Sequence, residues 1–200
     1  MIKMYEGGAV LTKIIERTAV IRLNRPLERN SLSVKIISEL KDAFTSVQTR
    51  ADIRTIIFTG THDVFASGAD IRELRTLSAE TAGEFAMMGQ QLFQAIAEAG
   101  QATIAAVNGF CVGGGLDLAL ACDIRLASSG AVFAHPGARL GIITGWGGTQ
   151  RLPRLIGATR ALEILLTARR VTSAEALEIG LVNGVGDPVL DLALEFAEKR

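Results

Sequence analysis

The sequence has few side chains that bind metals and no surplus of charge of either sign. It contains two histidines and two cysteines, and their spacing does not resemble that of a zinc site. We therefore expect no metal site. Lysine plus arginine and aspartate plus glutamate number 21 each, so the formal net charge is zero. This balance argues against nucleic acid or an anionic membrane surface as a partner, but it is compatible with a local phosphate-binding site.

Long apolar runs are also absent. No run reaches the roughly 18 residues of a membrane span, and the first residues, MIKMYEGGAV, lack the apolar core of a secretory signal. Cys111 and Cys122 both lie in an apolar, glycine-rich segment, where buried free thiols are more typical than a disulfide. We therefore expect a cytoplasmic protein with no membrane partner.

Strand and helix patterns alternate along the 200 residues, which predicts an α/β fold. Apolar residues recur at helical spacing in several segments, and short β-rich runs separate them. Thr81 and Glu84 have the spacing of a capping box, which places a helix start beside them. The predicted strands include 18–23, 54–59, 103–108, 124–127 and 131–134, the predicted helices include 33–47, 84–99 and 190–199, and 65–70 is predicted to be a loop.

The segment 105–123, AAVNGFCVGGGLDLALACD, is the most informative part of the chain. Three glycines precede a helical pattern. Backbone N–H groups that have no partner at the start of a helix favour the binding of an anion there. The phosphate-binding motifs G-x-G-x-x-G and G-x-x-x-x-G-K-[ST] are absent, as is the nucleophile motif G-x-S-x-G. Two N–H donors from the loops 66–70 and 113–115 could instead converge on one carbonyl oxygen. The alternative is that the glycines only permit tight turns.

Several motifs, taken in order, resemble the crotonase family, also called the enoyl-CoA hydratase/isomerase family. They are LNRP at 23–26, FASGADI at 65–71, AAVNG and GGG at 105–109 and 113–115, CD at 122–123, and LGI and GGTQRL at 140–142 and 147–152. The resemblance implies a crotonase-like spiral of repeated ββα units, assembled as a homotrimer or a hexamer. It also implies an acyl-CoA thioester as substrate. Coenzyme A is then part of the substrate, and no separate cofactor is expected.

The resemblance also implies roles for individual residues. The backbone amides of Ala69 and Gly114 would form an oxyanion hole that stabilises a thioester enolate. Trp146 would wall the acyl pocket or belong to the core. Further residues expected to bind the substrate and its coenzyme A are Leu27, Arg29, Ala66, Gly68, Asp70, Ile71 and Gly113. Arg29 and Arg72 could meet its phosphates or remain solvated surface charges.

The carboxylates depart from the family pattern. For a hydratase, the resemblance implies two glutamates that act together in acid–base catalysis. One lies two residues after the triple glycine, and the second directly follows a later proline. These positions are Asp117 and Gly137 in this sequence. His135 precedes Gly137 by two positions and is expected to be packed or on the surface. Thr144 could hold a water molecule.

Because neither position of the family's glutamate pair holds a glutamate, three functions remain open. Asp117 alone could serve as the acid/base of an isomerase-like reaction or of a slow hydratase. A decarboxylase would need mainly the oxyanion hole. An acyl-CoA-binding scaffold would need no acid or base, and Asp117 would then only interact favourably with a helix dipole. The leading hypothesis is an enzyme of the enoyl-CoA hydratase/isomerase type.

The expected division of the chain follows from where the motifs end. A crotonase-like acyl-CoA-binding core is expected to cover residues 1–186. Residues 187–200 are expected to form a C-terminal helix, the start of a helical region that is shorter than is usual for the family.

Overall fold

A computed structural model describes residues 8–199, and these fold into two sheets with helices around them. The strands are β1 (Val10–Ile15), β2 (Thr18–Leu23), β3 (Thr55–Thr59), β4 (Val64–Ala66), β5 (Ala102–Val107), β6 (Phe110–Val112), β7 (Ile124–Ala127), β8 (Val132–Ala134), β9 (Arg170–Thr172) and β10 (Gly184–Val185). The helices are α1 (Val34–Gln48), α2 (Ile71–Leu74), α3 (Ala79–Ala97), α4 (Gly114–Ala121), α5 (Gly148–Ile156), α6 (Ala158–Thr167), α7 (Ser173–Glu178) and α8 (Val189–Glu198). Short 3₁₀ turns cover Pro26–Glu28 and Pro136–Leu140.

From β3 to β8, successive strands alternate between the two sheets. One sheet has the order β1-β2-β3-β5-β7-β10, and the other has the order β4-β6-β8-β9. The pairs β3–β4, β5–β6 and β7–β8 each place one strand in each sheet before a helix or a 3₁₀ turn follows. All strand pairs are parallel except β1–β2 and β8–β9. This repetition confirms the predicted α/β spiral of ββα units.

Helices cover both faces of the larger sheet, because its central parallel strands bury side chains on both sides. Ser33 caps α1 by accepting a hydrogen bond from the amide of Ile36 at 3.3 Å. The buried face of α1 then packs into the main core through Ile36, Ile37, Leu40, Phe44 and Val47. On the opposite face, Val189 and Ala193 of α8 pack with Ile57 and Ile104 of the sheet. The proposed boundary at residue 186 stays a prediction.

Two local predictions were wrong. Helix α3 begins at Ala79, five residues before the predicted start, because Ser78 and Thr81 form the capping box in place of Thr81 and Glu84. The amide of Ser78 donates to the Thr81 hydroxyl at 2.9 Å, and the amide of Thr81 donates to the Ser78 hydroxyl at 3.3 Å. The predicted loop 65–70 begins inside β4. A strand of three residues is too short to show a period of two.

The described residues also bear on the membrane and metal predictions. No helix within 8–199 combines the length and the apolar character that crossing a bilayer requires. Over the same range, no three His, Cys, Asp or Glu side chains cluster as potential metal ligands.

Cys111 and Cys122 are buried free thiols, and burial raises the pKa of Cys122 to about 12.

Candidate active site

Two glycine-containing loops meet at one edge of the smaller sheet. Strands β4 and β6 are parallel neighbours, so the loops that follow them leave the sheet at the same edge. Gly68 and Gly113 have positive φ angles of 91° and 55°, which side chains other than glycine rarely adopt. A Cβ on Gly68 would lie 2.9 Å from the amide nitrogen of Gly114. Glycine at position 68 is therefore required for the two loops to approach each other.

The amides of Ala69 and Gly114 are neighbours across this contact. A Cβ placed on Gly114 would lie 3.5 Å from the amide nitrogen of Ala69. Gly114 is the first residue of α4, so its N–H has no acceptor within the helix. Within residues 8–199, neither amide donates a hydrogen bond to a protein atom. Two unused donors, one at the positive end of a helix dipole, can therefore stabilise a negatively charged oxygen.

Both amides border a cavity of about 520 Å³ with mostly apolar walls. Gly68, Ala69, Gly113 and Gly114 line it, as do Asp117 and His135. The apolar wall includes Leu74, Leu77, Phe85, Ile142, Ile143 and Trp146. The sequence had not indicated a place in the site for Leu74, Leu77, Phe85, Ile142 or Ile143. The signal available in the sequence for Ile143 was its place in an apolar pair between the glycines at 141 and 145. The chemistry of the cavity suits an apolar chain attached to a polarised carbonyl group.

Trp146 both lines the cavity and belongs to the buried core. Its ring would contact a Cβ on Gly89 or on Gly114 at 2.4 Å, so these two glycines make room for the indole. The indole N–H donates to the carbonyl of Phe85 at 3.3 Å, and the Phe85 ring lies 5.2 Å from it between centroids. The aromatic contacts fix the wall next to the Gly114 amide.

Asp117 lies in the first turns of α4 with a side chain that is 2% exposed. The hydroxyl of Thr144 donates to its Oδ2 at 2.5 Å. Its Oδ1 lies 3.4 Å from Nε2 of His135. A Cβ on Gly148 would lie 2.3 Å from Oδ1, so glycine at position 148 leaves space for this carboxylate. Asp117 is the one carboxylate among the described residues that line the cavity.

The position of the second family carboxylate is occupied by Gly137. Its carbonyl accepts a hydrogen bond from the amide of Ile142 at 3.1 Å. A Cβ at position 137 would lie 2.7 Å from the carbonyl oxygen of Ile142. A side chain there would require a backbone shift, so the local structure is built for glycine.

The residues expected to bind coenzyme A mostly line a shallower groove beside the cavity. Leu27, Arg29, Asp70, Ile71 and Arg72 border this groove, and Ser67, Ala69 and Ile71 are shared with the cavity. The guanidinium carbon of Arg29 lies 5.0 Å from the centre of the Phe110 ring, a distance typical of a cation–π contact. Ala66 is fully buried at the end of β4 and lines neither the cavity nor the groove.

Asp70 holds the groove in shape at the start of α2. Its carboxylate accepts hydrogen bonds from the backbone amide of Arg72 at 2.9 Å and from its Nε at 3.0 Å. The hydrogen bond from the Arg72 side chain is the main cause that lowers the pKa of Asp70 to about 2. The carboxylate of Asp70 is therefore part of a helix cap and an ion pair.

This depressed pKa predicts an acid-sensitive contribution to stability. The contribution is complete above the ordinary aspartate pKa of about 3.9 and is lost as the pH falls towards the folded value of about 2. We expect the difference in free energy of unfolding between wild type and Asp70→Asn to shrink between pH 4 and pH 2 in urea titrations. Arg72→Gln, which removes the partner, should abolish most of this pH dependence. A difference that stays constant with pH would contradict the assignment.

Comparisons with known proteins show which proteins this chain is similar to. Residues 14–199 match the family model described as enoyl-CoA hydratase/isomerase. A crotonyl-CoA hydratase from Syntrophomonas wolfei is 46% identical over 174 residues, which is 86% of this chain and 67% of that protein. A short-chain-enoyl-CoA hydratase from Clostridium acetobutylicum is 38% identical over 186 residues, 92% of this chain and 71% of that protein. The chain thus spans about two thirds of the length of these relatives.

A solved structure shows the same fold. The crystal structure of an enoyl-CoA hydratase from Bacillus anthracis superposes with a TM-score of 0.92 at 37% sequence identity, covering 96% of this chain and 76% of that one. The family match extends over both sheets and over the two loops that carry the Ala69 and Gly114 amides. The chain belongs to the enoyl-CoA hydratase/isomerase family.

Proposed function

We propose that this protein adds water across the double bond of an enoyl-CoA thioester. The observation that carries the proposal is the pair of unused amides, Ala69 and Gly114, beside an apolar cavity that is also lined by Asp117. A thioester carbonyl placed between the two N–H groups would be polarised by both of them. Membership of the family and the names of the relatives support the same substrate class.

The residues supply each step of a hydration. Asp117 accepts a proton from water while the water oxygen bonds to C3 of the enoyl group. The electron pair of the C2–C3 double bond moves onto the thioester, and the enolate oxygen is held by the amides of Ala69 and Gly114. Asp117 then returns a proton to C2, which gives the 3-hydroxyacyl thioester and restores the carboxylate. Thr144 keeps Oδ2 of Asp117 oriented throughout, because its hydroxyl donates to that oxygen.

A second reaction is favoured by the glycine at position 137, where no second carboxylate is present. Loss of CO₂ from a malonyl-type thioester also forms an enolate, and the site then has to deliver only one proton. The same two amides would hold the charge. The decarboxylase is therefore the enzymatic alternative.

A panel of three thioesters tests the proposal. We expect hydration of crotonyl-CoA, followed as loss of absorbance of the enoyl thioester, to be faster than isomerisation of a 3-enoyl-CoA or decarboxylation of methylmalonyl-CoA. Faster release of CO₂ from methylmalonyl-CoA would favour the decarboxylase. Tight acyl-CoA binding with no turnover of any of the three would favour a scaffold and would contradict the proposal.

We further propose that the protein forms trimers or hexamers in the cytoplasm. Leu162 and Leu166 of α6 are 56% and 71% exposed, and exposed apolar side chains of this size support a contact between subunits. The buried free thiols of Cys111 and Cys122 support a reducing compartment.

A further inference from the structure

Two buried polar atoms of the candidate active site face each other without a hydrogen bond. Nε2 of His135 and Oδ1 of Asp117 are 3.4 Å apart. Within residues 8–199, neither atom has a hydrogen-bond partner. The two side chains are 6% and 2% exposed. Buried polar atoms without partners are rare in folded proteins, and each one calls for an explanation.

The fold brings these two atoms together from different elements. In the parallel pairing of β6 with β8, Val112 is opposite Ala134. His135 follows Ala134 directly and therefore lies next to Gly113, at the start of the helix that carries Asp117. Thr144 occupies Oδ2 of Asp117 from a third segment. Oδ1 is thereby left for the imidazole.

The other ring nitrogen of His135 lies beside the position of the missing carboxylate. Nδ1 is 3.7 Å from the place where a Cβ on Gly137 would lie. The imidazole thus lies between Asp117 and the residue that carries the second glutamate in the family pattern. Imidazole is also the side chain that exchanges protons most readily near neutral pH.

We propose that His135 is a positioning residue that exchanges a proton with Asp117 through Nε2 and compensates for the absent second carboxylate. This proposal rests on the proposed hydration. When Asp117 takes a proton from water, the proton is shared between Oδ1 and Nε2. When C2 of the enolate takes up a proton from Asp117, the pair returns to its starting protonation. The pair thus gains no net proton over a turnover, because water supplies both the hydrogen that C2 takes up and the hydroxyl group that forms on C3.

The other charged and titratable groups around the pair do not take this role. Burial lowers the pKa of Arg151 on α5, and the Asp117 carboxylate opposes this shift, so Arg151 is a neighbouring positive charge. Burial raises the pKa of the Cys111 thiol on β6 well above its ordinary value, which keeps it neutral. Arg139 and Arg170 are exposed. Arg169 is paired with Glu163 and Glu175.

Kinetics against pH test the proton exchange. His135→Gln places an amide near the position of Nε2 but cannot take up a proton. We expect kcat for crotonyl-CoA to fall by about 100-fold, the lower end of what acid–base groups contribute, with KM changed less than about 3-fold. We also expect one limb of the pH profile of kcat to disappear. His62→Gln, at the exposed second histidine, is the matched control. It should keep the wild-type kcat and both limbs of the pH profile. A His135→Gln variant with wild-type kcat and pH profile would overturn the proposal.

A measurement without turnover separates this proposal from the proposed function. In ¹⁵N NMR spectra of the two histidine rings at one fixed pH, Asp117→Asn should change the chemical shift of Nε2 of His135, because the carboxylate that shares a proton with this nitrogen is removed. The ring signals of His62 should stay the same. An unchanged Nε2 signal for His135 would overturn the proton exchange even if crotonyl-CoA is hydrated. A changed Nε2 signal in a protein that does not hydrate crotonyl-CoA would instead reject the proposed function and leave the coupled pair in place.

Discussion

Asp117→Asn is expected to lower kcat for crotonyl-CoA hydration by about 100- to 10,000-fold, the range of general acid–base groups. Asparagine has nearly the same shape, so the contact with Thr144 is kept in part, but its amide cannot accept a proton from water. Asp117 is the one carboxylate among the described residues that line the cavity. No neighbouring acid can therefore replace it. Because the amides of Ala69 and Gly114 are unaffected, KM should change by less than about 3-fold.

The measurement is a steady-state assay at several crotonyl-CoA concentrations, with thermal unfolding as a check on folding. Asp42→Asn is a suitable control, because Asp42 is exposed on α1. The substitution makes the same chemical change away from the cavity. Its kcat should match that of the wild type. Hydration at more than about a third of the wild-type rate in Asp117→Asn would exclude Asp117 as the base, since general bases contribute at least about 100-fold.

The sequence predicted most of the larger elements of the fold and the short strands β7 and β8, but it did not predict the short strands β4 and β6. Helix α1 and strands β2, β3 and β5 have long apolar patterns, and each is found within a few residues of its predicted bounds. Strands β4 and β6 have three residues each. Their pairing depends on neighbours that are distant along the chain, so no local pattern identifies them. The ββα repeat was therefore inferred from the family resemblance and not from periodicity.

The candidate site also has one part that the sequence could predict and one part that it could not. The two glycine loops could be predicted to meet because both follow strands, and the structure brings Ala69 and Gly114 together. The contact between His135 and Asp117 could not be predicted, since it depends on the register of β6 and β8. His135 was expected to be packed or on the surface. It is packed, and its Nε2 faces the carboxylate of Asp117.

Ala69→Pro is expected to lower kcat/KM for crotonyl-CoA by about 100- to 1000-fold, the typical loss on removing one oxyanion-hole donor. Proline lacks the backbone N–H, so only the Gly114 amide would remain for the enolate oxygen. The Ala69 amide donates no hydrogen bond to the protein among the described residues. Its removal therefore breaks no donated hydrogen bond in the folded state. A glycine precedes it, which limits the steric clash that proline imposes on the residue before it.

Ala158→Pro is a closely matched control for this change. Ala158 is exposed, it is the first residue of α6, and it also follows a glycine with positive φ, Gly157 at 86°. Proline is well tolerated at the first position of a helix, so this variant should keep the wild-type kcat/KM and unfolding temperature. If Ala69→Pro folds and hydrates crotonyl-CoA as fast as Ala158→Pro, the Ala69 amide does not stabilise the enolate. If only Ala69→Pro loses hydration while both variants bind the product thioester equally, the lost donor acts on the transition state rather than on binding.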